Sequence, residues 1–212
     1  TSTLNMLEKF SQIKAQKFIY ASGISVIGTP KSNMPVSESS PASPESLYVA
    51  GKYFGEVLCQ KYRWETKKNI ITLRISAPYG PGQNKNDVIP LFIQSALSNK
   101  DIPIYGSGKR SQDFIYVSDV IRAILAAIKH NLSGIYNIGS GKSTSTIDLA
   151  KIIIKNIPES KSRIIFADKK DPQEKYRLKM NINKAKKELG FKPRIMIEEG
   201  IKKYIKYFKE NQ

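Results

Sequence analysis

Apolar and polar positions alternate along this chain with two periods, one near 3.6 residues and one of short β-rich runs. Leu4, Met6, Leu7 and Phe10 recur at helical spacing, so a helix is expected over residues 3–13. The runs KFIYA (17–21) and NIITLRI (69–75) read as strands. Between them lies a polar, proline-rich stretch from Pro30 to Pro44, followed by a helix expected over about 44–63. A third strand-like run, FIYV at 114–117, leads into an amphipathic helix over 118–130 with Ser118 as its N-cap. A strand at 135–138, a glycine turn and a helix over about 146–156 follow. Two basic helices, 183–189 and 197–209, close the pattern, separated by GFKP, in which Gly190 and Pro193 are stop signals. Strands alternating with helices predict an α/β protein built on a parallel sheet. There is no internal repeat.

Composition narrows the function classes. A chain of 212 residues with 40% hydrophobic residues can bury a core as one large domain or two small ones. No stretch approaches the roughly 20 apolar residues of a membrane span, and TSTLNMLEKF lacks the basic and apolar regions of a signal peptide. A cytoplasmic protein is expected. The single cysteine, Cys59, forms no intrachain disulfide, and the single histidine, His130, leaves no material for a His-rich metal site or a Ser-His-Asp triad. The net charge of +17 fits either a nucleic-acid surface or anionic small-molecule substrates. Its distribution favours the second. Lys184, Lys186, Lys187, Lys202, Lys203, Lys206 and Lys209 crowd the last forty residues or so at helical spacing, without an aromatic stacking platform between them.

Tyr48 and Lys52 form Tyr-x-x-x-Lys on the predicted helix, which puts both side chains on one face a turn apart. A phenol is a poor base at neutral pH, but a nearby ammonium favours the phenolate. Such a pair can take a proton from a sugar hydroxyl while hydride leaves the same carbon for a nicotinamide. Tyrosine and lysine four apart also occur often as an ordinary surface pair, so the flanking sequence decides.

That sequence, PESLYVAGKYFGE (44–56), resembles the S-x-Y-x-x-x-K-x-x-x-E helix of the extended short-chain dehydrogenases, specifically the nucleotide-sugar epimerases and dehydratases. Further segments resemble the same family in the same order. YASGISVIG (20–28) is similar to its catalytic Ser/Thr strand and loop, and LRISAPYGPGQ (73–83) to the turn beside nicotinamide and sugar nucleotide. IYGSGKRSQDFIYVSDV (104–120) is similar to its diphosphate loop, and YNIGSGKSTSTIDLA (136–150) and NINKAKKELGFKP (181–193) to its C-terminal signatures. The resemblance implies an incomplete Rossmann-type parallel sheet with a smaller mixed α/β substrate-binding region. It divides the chain into residues 1–82, the later part of an NAD-binding domain, and 83–212, mainly a nucleotide-sugar region. It further implies bound NAD, a homodimer, oxidation of a sugar nucleotide at C4, and Tyr48 as base with Lys52 as its modulator and a ribose ligand. Ala21, Ser22, Ser76 and Pro78 would join them at the cofactor. Gly23, Ala77, Arg110, Gln112 and Arg177 would face the substrate.

The pattern also departs from the family. Its catalytic hydroxyl falls at Gly23, which has none; Ser22 and Ser25 flank it, and Ser22 is the candidate to substitute, although neighbours in a strand point to opposite faces. Ala77 stands for the usual Asn and Gln112 for the usual Arg, with Arg110 two positions away. The G-x-x-G-x-x-G turn that holds the dinucleotide's pyrophosphate is not found: the glycine pairs at Gly80, Gly106 and Gly139 all lack the third glycine. Either the chain is a fragment or another segment completes the sheet. GSGKST (139–144) is not a P-loop, because the first glycine of that motif would fall on Tyr136. The rival expectation is a degenerate relative that binds a sugar nucleotide or a subunit without chemistry.

Overall fold

The structure is a computed structural model and describes residues 2–31 and 34–211. The chain runs α1 (Ser2–Gln12), β1 (Lys17–Gly23), a single 3-10 turn (Ile24–Ile27), α2 (Leu47–Thr66), β2 (Asn69–Ile75), β3 (Pro78–Tyr79), α3 (Val88–Leu97) and β4 (Ile102–Ile104). It continues through β5 (Ser111–Gln112), β6 (Ile115–Tyr116), α4 (Val117–Lys129), β7 (Gly134–Ile138), β8 (Thr144–Ser145) and α5 (Thr146–Lys155). The last elements are β9 (Ile164–Phe166), α6 (Asn183–Glu188) and α7 (Ile197–Glu210).

β1, β2 and β7 form a parallel sheet in the order β1-β2-β7, with Lys17 opposite Asn69 and Ile71 opposite Gly134. The α/β parallel-sheet expectation holds. After Ile75 the chain leaves this sheet and rejoins it at β7. The two-residue side-chain period of the strands sorts the sheet's faces. Ile19, Ile71, Leu73 and Ile75 pack against Ala123 and Ala127 of α4. Phe18, Tyr20 and Ile70 pack against Leu7 and Phe10 of α1 and Leu58 and Cys59 of α2. A second core fills the space between α3, α5 and α7, where Phe92, Ile93, Leu149, Ile153 and Tyr204 meet.

Local chemistry explains most boundaries. α2 begins later than its proline-rich approach suggests, because the Ser46 hydroxyl accepts the Val49 N–H at 3.3 Å and caps it. It ends at Lys67, whose φ of 57° is left-handed. The expected cap at Ser118 is corrected: the N-cap is Tyr116, two residues earlier, α4 starts at Val117, and the Ser118 hydroxyl is buried without a partner among the described residues. The strand-like FIYV run shortens to Ile115–Tyr116, since Val117 already belongs to the helix. Asp119 in the first turn of α4 is wholly buried and accepts the Arg194 and Ile195 N–H groups at 2.9 Å each, tying α4 to the approach to α7.

α3 did not show as an amphipathic stripe. It is apolar nearly all round, and Pro90 reads as a breaker. At the third helical position, however, proline lacks only an N–H that would have no partner in the helix anyway.

Part of the positive charge is structural. Lys68 Nζ donates to the carbonyls of Phe10 (2.8 Å) and Ile13 (2.6 Å) at the end of α1, and Lys17 Nζ donates to His130 O (2.8 Å) at the end of α4. Cations there complement the helix dipole and satisfy its last carbonyls.

Candidate functional site

The Tyr-Lys pair lies where the carboxyl end of β1 meets α2. Tyr48 is 71% exposed, and its hydroxyl has no hydrogen-bond partner among the described residues. Lys52 Nζ donates to the Ala21 carbonyl at 2.9 Å. The same ammonium lies 5.7 Å from the centre of the Tyr20 ring and 5.9 Å from that of Tyr48, so it is held between two aromatic faces. Tyr20 in turn fits against Gly55 of α2, where any side chain would collide with its ring and hydroxyl. The helix therefore sits close on β1, and Ala21 enters the site through its backbone.

One turn beyond Lys52, Glu56 points into the sheet. Arg74 Nη2 donates to Glu56 Oε2 at 2.7 Å and Arg74 Nε to Oε1 at 3.0 Å, with both residues only 3% exposed. Ser22 donates to Glu56 Oε1 at 2.6 Å. This corrects the expectation for Ser22. Strand alternation turns its hydroxyl toward α2 and into the buried ion pair, away from the side on which Gly23 would carry a side chain. Ser76 is similarly engaged, donating to the Asp113 carbonyl from a position 1% exposed.

Beside this end of the sheet lie two cavities. One, of about 500 Å³, is lined by Ser25, Glu45, Ser76, Ala77, Pro78 and Tyr176, among others. The other, of about 360 Å³, has walls of Phe92, Tyr105, Phe114 and Leu149 with Thr144 and Thr146. Arg110 and Gln112 line both. Arg110 is only loosely held, with Nη1 3.7 Å from Asp171 Oδ1.

The structure places Ala77, Pro78, Arg110 and Gln112 in the lining of the larger cavity. Arg177 does not join them: its Nη1 donates to the carbonyls of Glu174 (2.6 Å) and Tyr176 (3.0 Å), folding the guanidinium onto its own loop. Its neighbour Tyr176 lines the cavity instead. Burial pushes the Tyr176 phenol up to about 12, which keeps it a neutral donor or acceptor at physiological pH. Phe92, Tyr105 and Glu45 were not singled out by sequence, although Tyr105 stands directly before the G-S-G turn. They are adjacent to the site only through folding.

The turn that resembles a phosphate-cradling loop is occupied from within. The Asp113 carboxylate accepts the Ser140 N–H at 2.7 Å, the Ser140 hydroxyl at 2.7 Å, the Gly141 N–H at 2.9 Å and the Met180 N–H at 3.2 Å. Burial raises the pKa of this carboxyl, while the donors from Ser140, Met180 and Gly141 pull the other way. With its N–H groups satisfied by a carboxylate, this turn is not a phosphate site.

A parallel α/β sheet with a Tyr-Lys helix at its carboxyl end and two cavities beside them is the arrangement of the short-chain dehydrogenase class of α/β proteins. Residues 1–139 match the model of the NAD dependent epimerase/dehydratase family, and the chain belongs to that family. It is 37% identical over 213 residues to a putative UDP-glucose 4-epimerase of Methanocaldococcus jannaschii, covering 99% of this chain and 68% of that protein. It is 34% identical to the dTDP-D-glucose 4,6-dehydratase of Homo sapiens, covering 94% of this chain and 58% of that protein. Among solved structures, the UDP-glucuronic acid 4-epimerase of Bacillus cereus in complex with UDP-glucuronic acid and NAD superposes with a TM-score of 0.88 at 30% identity. That match covers 99% of this chain and 67% of the epimerase chain. The 212 residues thus span little more than half to about two-thirds of the length of these relatives.

Proposed function

We propose that this chain carries the substrate cleft and the Tyr-Lys pair of a nucleotide-sugar epimerase or dehydratase. The observation that carries the reading is the sharing of Arg110 and Gln112 by two cavities of different character. The aromatic and aliphatic walls of the smaller cavity suit a nucleotide base, and the polar lining of the larger one suits a sugar. A diphosphate joining them meets the Arg110 guanidinium at the seam. On this reading residues 1–82 are the later part of a cofactor-binding domain and 83–212 mainly the substrate region, with β7 completing the sheet.

In the reaction, Tyr48 takes the proton of the sugar's C4 hydroxyl as hydride leaves the same carbon. Lys52, held by the Ala21 carbonyl with its ammonium 5.9 Å from the centre of the Tyr48 ring, is placed to bind a ribose hydroxyl. NAD, when bound, supplies the hydride acceptor. The exposed Tyr48 and the anchored Lys52 fit the nicotinamide-ribose end of that cofactor. No glycine-rich turn for its pyrophosphate is present, and among the described residues the outer edge of β1 is unpaired. A segment joining that edge is where such a turn would come from.

Calorimetric titration with UDP-glucose and with UDP tests the substrate half of the reading. Binding of UDP-glucose is expected, and Arg110→Ala is expected to weaken it by about 1.5–3 kcal/mol, roughly ten- to hundredfold in Kd. No heat with either ligand overturns the reading. Gly23 favours one alternative, a relative that binds sugar nucleotide and does no chemistry; UDP-glucose binding with no turnover in the presence of NAD would support it.

A homodimer is the second part of the proposal. α1 and α2 leave Met6, Phe54, Val57 and Trp64 exposed, the last at 73%, which is a large apolar surface for a helix pair. Sedimentation is expected to give a species of twice 23.9 kDa, converted to monomer by Val57→Lys combined with Phe54→Glu. A monomer across the micromolar range overturns it.

A further inference from the structure

Three serine hydroxyls stand where β1 and β2 end, and only one of them is uncommitted. Ser22 donates to Glu56 at 2.6 Å, and Ser76 donates to the Asp113 carbonyl. Ser25, in the 3-10 turn that follows β1, is half-buried and lines the larger cavity together with Ala77 and Arg110. Its hydroxyl has no hydrogen-bond partner among the described residues. The turn itself is firmly built: the Ser25 carbonyl accepts the Gly28 N–H at 2.9 Å, and Ile24, Val26 and Ile27 are buried on either side of it. The hydroxyl is therefore presented by a fixed backbone and not by a loose loop. It also lies 3.3 Å from the point where a Cβ on Gly23 would stand. The empty side-chain position at Gly23 is thus bordered by a free donor from two residues further on.

Resting on the cleft assignment above, we propose that Ser25 is the hydroxyl that binds the sugar beside Tyr48, donating a hydrogen bond to the oxygen of the C4 hydroxyl. The serine keeps its own proton throughout. The proton lost from the sugar goes to Tyr48, and the electron pair leaves with the hydride, so Ser25 fixes the orientation of the sugar and polarises its C–O bond without being consumed. The lack of a side chain at Gly23 is part of the arrangement: a Cβ there would stand 3.3 Å from Ser25 Oγ, a close contact that obliges the hydroxyl to shift by a few tenths of an ångström.

The test uses UDP as an internal control, because UDP fills the nucleotide lobe and carries no sugar. Ser25→Ala is expected to weaken UDP-glucose binding by about two- to tenfold, the range for one neutral hydrogen bond, and to leave UDP binding unchanged. Ser25→Thr, which keeps the hydroxyl, is expected to retain UDP-glucose affinity. Gly23→Ala is expected to weaken UDP-glucose binding as Ser25→Ala does, again sparing UDP. If Ser25→Ala binds UDP-glucose as wild type does, or loses UDP and UDP-glucose affinity equally, Ser25 does not contact the sugar and the inference is overturned. If the wild-type chain binds neither ligand, the cleft assignment itself fails, and this inference with it.

Discussion

Glu56→Gln is expected to lower the unfolding free energy of this chain by about 3–5 kcal/mol, the range for breaking one partner out of a buried ion pair. The glutamine keeps the shape of the side chain and one oxygen acceptor, but it leaves the Arg74 guanidinium charged and nearly free of water. In the native network three contacts run from Arg74 to the carboxylate: Nε to Oε1 at 3.0 Å, Nε to Oε2 at 3.2 Å and Nη2 to Oε2 at 2.7 Å. Arg74 Nη1 adds the Glu38 carbonyl at 3.2 Å, and Ser22 adds its hydroxyl to the carboxylate. Removing both charges together, as Glu56→Leu with Arg74→Met, is expected to cost much less than the two single changes summed, because no unpaired charge remains. Urea unfolding followed by far-UV circular dichroism measures Glu56→Gln, the two single changes and their combination. A loss below about 1 kcal/mol for Glu56→Gln would place the pair among solvent-screened surface bridges, which are worth that little. Glu56 also lies one turn after Lys52 on α2. Its anchorage to β2 sets the height and rotation at which Lys52 reaches the Ala21 carbonyl.

Tyr48→Phe is expected to reduce turnover of a nucleotide sugar in the presence of NAD by about 10²–10⁴, the usual loss on removing a general base. The phenol is 71% exposed and its oxygen bonds to no described protein group, so the thermal midpoint is expected to stay at the wild-type value. UDP-glucose affinity is expected to change by no more than roughly twofold, since the base's largest gain comes in the transition state. Turnover by the phenylalanine variant at the wild-type rate would remove Tyr48 from the chemistry. A turnover loss accompanied by a fall in thermal midpoint would assign Tyr48 a structural part that its exposure does not suggest.

Much of the sheet was legible in the sequence because its determinants are local. NIITLRI is a short run of β-favouring residues, with Ile71, Leu73 and Ile75 on one face, so it reads as a strand, and β2 is paired on both sides, with β1 and β7. KFIYA and the run ending at Ile138 carry the same signal. The helix bearing Tyr48, Lys52 and Glu56 was legible for a similar reason: the four-residue spacing puts the three side chains on neighbouring turns whatever surrounds them. The resemblance to the epimerases and dehydratases rested on ordered short segments, and the family match covers residues 1–139.

What the sequence by itself determined, then, was which residue types stand where; which of them line a cavity and which are tied to protein groups was decided only by the tertiary structure. Ser22 and Ser25 both flank Gly23, and the sequence favoured Ser22. Strand alternation commits the first to Glu56, a partner 34 residues away, while the turn after β1 leaves the second open to a cavity. Arg110 and Arg177 are equally cationic, yet the Arg177 side chain turns onto its own loop carbonyls and Arg110 stands between two lobes of a cleft. The GSGK turn has the composition of an anion site, and Asp113, 27 residues earlier, fills it. The physical reason is common to all of these. Helix and strand formation depends on the periodicity of neighbours, whereas satisfying a buried donor or leaving one free depends on groups that only the completed fold brings within about 3 Å.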